Sequence, residues 1–302
     1  MSKRIKSHLA LLIVSIIFGA NYHIAKGLMP NYLSPMQIIF LRVSGALILF
    51  WVVSIFSERE KIEGKDFIKI AVCSLFGVAI NQTCFFKGLS LTTPVNTSII
   101  HASSPILVVV FASIIIKEKI TGNKIIGIIL GALGSGLLIL YGRKLSFGTD
   151  TLRGNIIIFI NISAYGLYLV LVKPLMNKYK VITIMKWIFL FGFIFIIPFT
   201  YNKISSINFS NFTTYSWSAL LYVVIGTTFI AYLLTTYSLE TLNATVAGFY
   251  MYIQPLVAAL IALIINGETI NLYKIISAIL IFIGVYFVNR ENKILEQIPQ
   301  RQ

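Results

Sequence analysis

Residues 85–106 read FFKGLSLTTPVNTSIIHASSPI, and residues 235–256 read TTYSLETLNATVAGFYMYIQPL. A shift of 150 lays all of 85–142 on 235–292 without a gap: Leu89 meets Leu239, Pro105 meets Pro255, Glu118 meets Glu268 and Gly134 meets Gly284. Upstream the offset is 147, so that Gly19 meets Gly166 and Lys26, Gly27, Leu28 and Met29 meet Lys173, Pro174, Leu175 and Met176. Both copies are built of long apolar runs. Internal repeats in a chain of membrane helices point to a secondary transporter, whose substrate site forms between the repeats near the bilayer midplane.

The composition demands lipid. Of the 302 residues, 57% are hydrophobic and 12% charged, against about 45–50% and about 25% in soluble domains. The net charge of +15 does not signal nucleic acid, because the basic residues sit in short loops between apolar runs and make no patch on a soluble face. Cys73 and Cys84 fall in one predicted helix, about 16 Å apart along its axis, beyond disulfide reach. The start MSKRIKSH precedes an apolar run of 18 residues with no small-x-small cleavage site, which reads as an uncleaved first span.

A bilayer core of about 30 Å takes about 20 apolar residues of helix. Ten segments qualify: 8–26, 36–56, 67–88, 95–116, 124–142, 154–173, 182–200, 216–238, 244–265 and 272–289. The fold class expected is therefore an all-α membrane protein of ten transmembrane helices. A barrel strand would alternate and stop near ten residues. With the N-terminus in the cytoplasm, 17 Lys and Arg face inward and 7 outward, with Arg42 inside a span. That bias sets both termini inside. Five helices per repeat is an odd number, so the repeats, 1–145 and 150–290 with a cytoplasmic tail over 291–302, must be inverted relative to each other.

The chain resembles the drug/metabolite transporter superfamily, in its EamA-like ten-helix branch, over almost its whole length. In the first half the matching pieces are FGAN (18–21), SPMQIIFLRVSGALIL (34–49), FFKGLSLTTPVNTSII (85–100), SSPI (103–106) and KEKIT (117–121). In the second half they are AYGLY (164–168), YLLTTYSLETLNATVAG (232–248), QPL (254–256) and GETI (267–270). Phe18 and Tyr165 stand where the family often has Trp, and His101 has no fixed counterpart. The resemblance implies export or exchange of small metabolites such as amino acids, through a cavity between the halves of a protein in a bacterial cytoplasmic membrane.

Polar residues inside spans are the candidate ligands. Arg42 is the only charge well inside one. An Arg near a helix centre costs about 2.5–3.5 kcal/mol on insertion scales. It reads as an anchor for a substrate carboxylate or a partner to a neighbouring carbonyl, or as a side chain snorkelling to the headgroups. His101 shares a helical stripe with Thr97, Ser104 and Val108. It reads as a cavity ligand or proton-sensitive group, or as a neutral imidazole bonded to a neighbouring helix. Asn21, Asn81 and Gln82 are cavity amides or interhelical glue. The second half offers Tyr165, Tyr168, Tyr232, Tyr250 and Tyr252 with Gln254, aromatic faces for a small amphipathic solute or packing. Gly127, Gly131 and Gly134 permit close helix contact, within the bundle or in a homodimer. Glu118 and Glu268 sit at equivalent turns and read as caps of the following helices. Tyr141, Tyr201 and Tyr286 read as interfacial belt residues.

No catalytic constellation, cofactor motif or metal-ligand spacing is present; the ATP-binding loop Gly-x-x-x-x-Gly-Lys-Ser/Thr is absent. The function expected is transport of small organic, amino-acid-like metabolites, outward, by alternating access, with small solute and lipid bilayer as partners. Uptake or nucleotide-sugar-like exchange is the alternative within transport. A membrane receptor or structural protein is the alternative outside it.

Overall fold

Long apolar runs bounded by cap residues form the helices. The structure, a computed structural model, describes residues 2–140, 149–266 and 272–297. In chain order the helices are α1 (Lys3–Leu28), α2 (Pro35–Ile55), α3 (Gly64–Leu91), α4 (Pro94–His101, then Ser104–Ile115), α5 (Gly122–Leu140), α6 (Thr149–Met176), α7 (Val181–Ile204), α8 (Thr214–Ser238), α9 (Ala244–Tyr250, then Ile253–Asn266) and α10 (Leu272–Gln297). Their starts carry recognisable chemistry. Ser2 Oγ accepts from Ile5 N at 3.3 Å. Pro35 follows a Ser34/Gln37 capping box at α2, and Thr213/Ser216 forms another at α8. Tyr141 and Glu268 lie outside the described residues.

Six helices, α1, α2, α3, α6, α7 and α8, are long and apolar enough to cross a membrane by length and composition. Shorter apolar helices follow from the two halves: Ser104–Ile115, Gly122–Leu137, Ala244–Ala258 and Ile275–Val288. The outward surface carries large apolar side chains such as Ile55, Ile114 and Phe199, while polar residues within the spans such as Ser15, Asn21, Gln82, Asn161 and Thr228 are buried beside the apolar core. An apolar exterior with polar groups kept inside the bundle is what a hydrocarbon solvent selects.

Two of the expected spans, 95–116 and 244–265, are not continuous. α4 breaks at Ala102 and Ser103, and α9 at Met251 and Tyr252. Pro105 and Pro255, equivalent by the offset of 150, stand just beyond the breaks. A proline removes one helical N–H and crowds the preceding turn. The polar stripe from Thr97 to Val108 is interrupted accordingly. α3 and α8 contain π-helical segments, Leu75–Ile80 and Tyr222–Ile230, which also overlap at that offset. Such segments concentrate at functional sites.

Contacts between turns order the helices in space. At the face where α1 begins, Lys3 pairs with Glu240 of the α8–α9 turn at 2.7 Å, and Asp66 Oδ2 accepts from Lys178 at 3.0 Å and from Tyr179 at 2.9 Å. Lys69 adds a third bond to Asp66 at 2.6 Å, and Lys180 pairs with Glu58. The hydrogen bond to Asp66 holds the Lys178 ammonium above the ordinary lysine pKa. At the opposite face Gln37 Nε2 donates to Lys203 O at 3.1 Å, and Thr92 Oγ1 donates to Asn155 Oδ1 at 2.7 Å. α1 thus starts at one face and its sequence equivalent α6 at the other.

Equivalent residues repeat equivalent bonds. Lys26 Nζ donates to Leu89 O at 2.9 Å, and Lys173 Nζ donates to Leu239 O at 2.5 Å. Each lysine ends the first helix of its half and caps the C-terminus of the third, where the helix dipole favours a cation. α5 and α10 pack along their length. A Cβ at Gly127 would lie 2.8 Å from Gly284 O, and one at Gly134 would lie 2.8 Å from Ser277 O. The glycine face of α5 is therefore occupied within the bundle. Glu118 pairs with Lys124, in the first turn of α5, at 3.0 Å.

Candidate functional site

A cavity of about 530 Å³, counting the space at its open mouth, lies between the halves. α1, α2, α3, α4, α6, α8 and α9 all reach it.

Arg42 is 4% exposed and lines the cavity. Its Nε donates to Thr228 Oγ1 at 2.8 Å, and that hydroxyl donates to Val223 O at 2.7 Å. The guanidinium carbon stands 5.1 Å from the centre of the Phe86 ring, a cation–π distance. The snorkelling reading is overturned: the side chain turns inward, to a partner on the π segment of α8. Among the described residues no carboxylate pairs with Arg42, and no Asp or Glu lines the cavity.

Tyr232, one turn beyond Thr228, joins the halves. Its hydroxyl donates to Gly77 O at 2.6 Å and lies 3.1 Å from Asn81 Oδ1, while Gln82 Nε2 donates to it at 3.2 Å. Gly77 belongs to the other π segment. Each half therefore bonds a cavity side chain to the π segment of the other half: Arg42 to Thr228, Tyr232 to Gly77.

The remaining walls are amide and aromatic. Asn161 Nδ2 donates to Asn81 O at 2.8 Å, and Asn81 Nδ2 returns a bond to Asn161 O at 3.3 Å. His101, at the broken end of the first piece of α4, sits edge-on to Tyr22 and Phe85, with ring centres 5.5 and 6.0 Å away. Tyr22 donates to Gln254 Oε1 at 3.1 Å. Phe18 meets Tyr165 edge-on at 6.4 Å.

The expected residues Asn21, Arg42, Asn81, Gln82, His101, Tyr165, Tyr232 and Gln254 thus meet around one cavity. Tyr168 does not line it. It is fully buried, bonded to Thr236 at 3.0 Å and packed on Gly77, where a Cβ would lie 2.4 Å from its ring. Tyr250 lines a smaller hollow nearer the face where α1 begins, 3.0 Å from His8 Nδ1, and Ser15 donates to its carbonyl at 2.9 Å. Tyr252 turns away to Ile128 O, at 3.3 Å. Sequence reasoning missed Asn161 and Thr228. Asn161 was detectable as an amide inside an apolar run, one turn before Tyr165. Thr228 gave no signal, because nothing in hydropathy marks a π register.

Comparison with known proteins follows the same lines. The EamA-like transporter family matches the chain twice, over residues 5–140 and 152–290. An uncharacterized transporter of Archaeoglobus fulgidus is 28% identical over 295 residues, covering 95% of this chain and 98% of its own. The uncharacterized transporter YetK of Bacillus subtilis is 25% identical, covering 99% and 91%. A protein crystal structure superposes with a TM-score of 0.76 over 96% of this chain and 99% of its own, at 14% identity, a likeness of fold.

Proposed function

The chain belongs to the EamA-like transporter family, and from that premise we propose that it carries small, amino-acid-like organic solutes out of the cell by alternating access. In this reading ten transmembrane helices form two inverted repeats, 1–145 and 150–290, in the cytoplasmic membrane with both termini inside. The solute sits in the cavity between the halves.

The observation that carries the reading is Arg42. A buried cation with no acidic partner is costly, and this one lines the cavity between the halves. A solute carboxylate arriving there replaces the missing counter-ion and meets a planar donor group suited to it. The cavity supplies no fixed anion, which a lipophilic cation would need in a low-dielectric site. The hydrogen bond between His8 and the Tyr250 hydroxyl, and those donated by Ser15 to Tyr250 O and by Tyr22 to Gln254, hold α1 against α9. They are the links that alternating access would break. Counterflow of labelled neutral amino acids into proteoliposomes tests the reading. Saturable exchange of a carboxylated solute, absent from protein-free vesicles, supports it. Efflux of ethidium with no carboxylate exchange refutes it.

A further inference from the structure

Four side chains on the cavity wall hold polar atoms that no other wall residue satisfies: Asn21 Oδ1 and Gln82 Oε1 have no hydrogen-bond partner, and Asn161 Oδ1 and the His101 ring have only each other. Asn21, Gln82 and Asn161 are 5%, 1% and 2% exposed, so bulk solvent does not satisfy them. Buried polar groups in folded proteins are paired almost without exception, and those left over call for an explanation. Here they converge on one space.

Their chemistry leans towards accepting. An amide oxygen only accepts, and a neutral imidazole brings one acceptor beside one N–H donor. The orientation of Asn161 is fixed by its neighbour: Nδ2 must face Asn81 O, which it meets at 2.8 Å, so Oδ1 is left for the cavity. Aromatic rings stand between Arg42 and His101. His101 touches Phe85, whose ring centre is 5.1 Å from that of Phe86, and Phe86 carries the Arg42 guanidinium. The cavity therefore holds a donor, Arg42, and a set of acceptors that includes Asn161 and His101, linked by a ring pair.

We propose that Asn161, with Asn21, Gln82 and His101, forms a hydrogen-bond-accepting pole that takes the primary ammonium of the carried solute. The inference rests on the carboxylate reading of Arg42 and adds the other half of the ligand. A primary ammonium offers three N–H donors and no acceptor, the complement of three amide oxygens and an imidazole nitrogen. The faces of Phe18 and Tyr165 add cation–π attraction without a fixed anion. A quaternary ammonium carries the same charge and would enjoy the same rings, but it has no N–H and leaves every amide oxygen unpaired. The pole therefore discriminates by hydrogen-bond donors and not by charge.

Proteoliposomes of the full chain, preloaded with L-alanine, are assayed for uptake of labelled L-alanine, N,N,N-trimethyl-L-alanine and L-lactate. Wild-type protein is expected to carry alanine at least tenfold faster than either analogue. Asn161→Ser is expected to reduce alanine uptake tenfold and leave lactate uptake within twofold. Trimethylalanine carried as well as alanine overturns the ammonium pole while leaving Arg42 its role. Equal loss of alanine and lactate in the Asn161 variant does the same, and the wild-type comparison stands even if that variant fails to fold. Uptake of none of the three carboxylates overturns the carboxylate reading and this inference with it.

Discussion

Replacing Thr228 with valine keeps the shape of the side chain and removes its hydroxyl. In the wild type that hydroxyl accepts from Arg42 Nε at 2.8 Å and donates to Val223 O at 2.7 Å. Both partners are buried. A hydrogen bond to a charged group contributes about 1.5–3 kcal/mol. Losing it leaves Nε unpaired and lets the guanidinium swing away from the position it holds over Phe86. Two effects are expected from Thr228→Val: a destabilisation of about 1.5–3 kcal/mol, and a rise in KM for a carboxylated solute of roughly tenfold or more, since 1.4 kcal/mol is a factor of ten. Thr228→Ser restores the oxygen and should recover most of both. The assay is counterflow across a concentration series in proteoliposomes, with thermal unfolding in detergent as the stability control. Unchanged KM and unchanged stability in the valine variant would refute the claim that Thr228 positions Arg42. Equal defects in the serine variant would do so as well.

Reporter fusions test the topology: at residues 63 and 300 they should read cytoplasmic and at 148 external, and an external C-terminus contradicts the inverted repeats. No Asp or Glu lies within a predicted span, so transport is expected to be passive or exchange, and His101→Gln should retain any pH dependence of flux. A proton flux abolished by that substitution while binding survives would contradict this. Asp66 gathers Lys69, Lys178 and Tyr179, so Asp66→Asn should destabilise the protein by about 1–3 kcal/mol, seen as a lower unfolding temperature; an unchanged temperature shows the cluster to be inert.

What could be read from the sequence, and what could not, divides on physical grounds. Repeated offsets and the lengths of apolar runs are backbone-scale properties, and they pointed to the helices before any contact was known. Arg42 and His101 stood out because a polar group in hydrocarbon is costly wherever it points. The direction in which Arg42 points was not legible, since it depends on Thr228, 186 residues away. Tyr168 and Tyr232 looked alike as sequence. One ring is locked against Gly77 and the other presents itself to the cavity, a difference made by packing. The breaks in α4 and α9 were available from Pro105 and Pro255. The π segments were not, because hydrogen-bond register leaves no trace in hydropathy.

The most direct test of Arg42 as the carboxylate anchor compares one solute with its own amide. In proteoliposome counterflow, Arg42→Gln should weaken exchange of an amino acid at least tenfold more than exchange of the corresponding amino-acid amide, because the glutamine keeps hydrogen-bonding capacity and loses the charge. Equal loss for the acid and the amide would contradict the account.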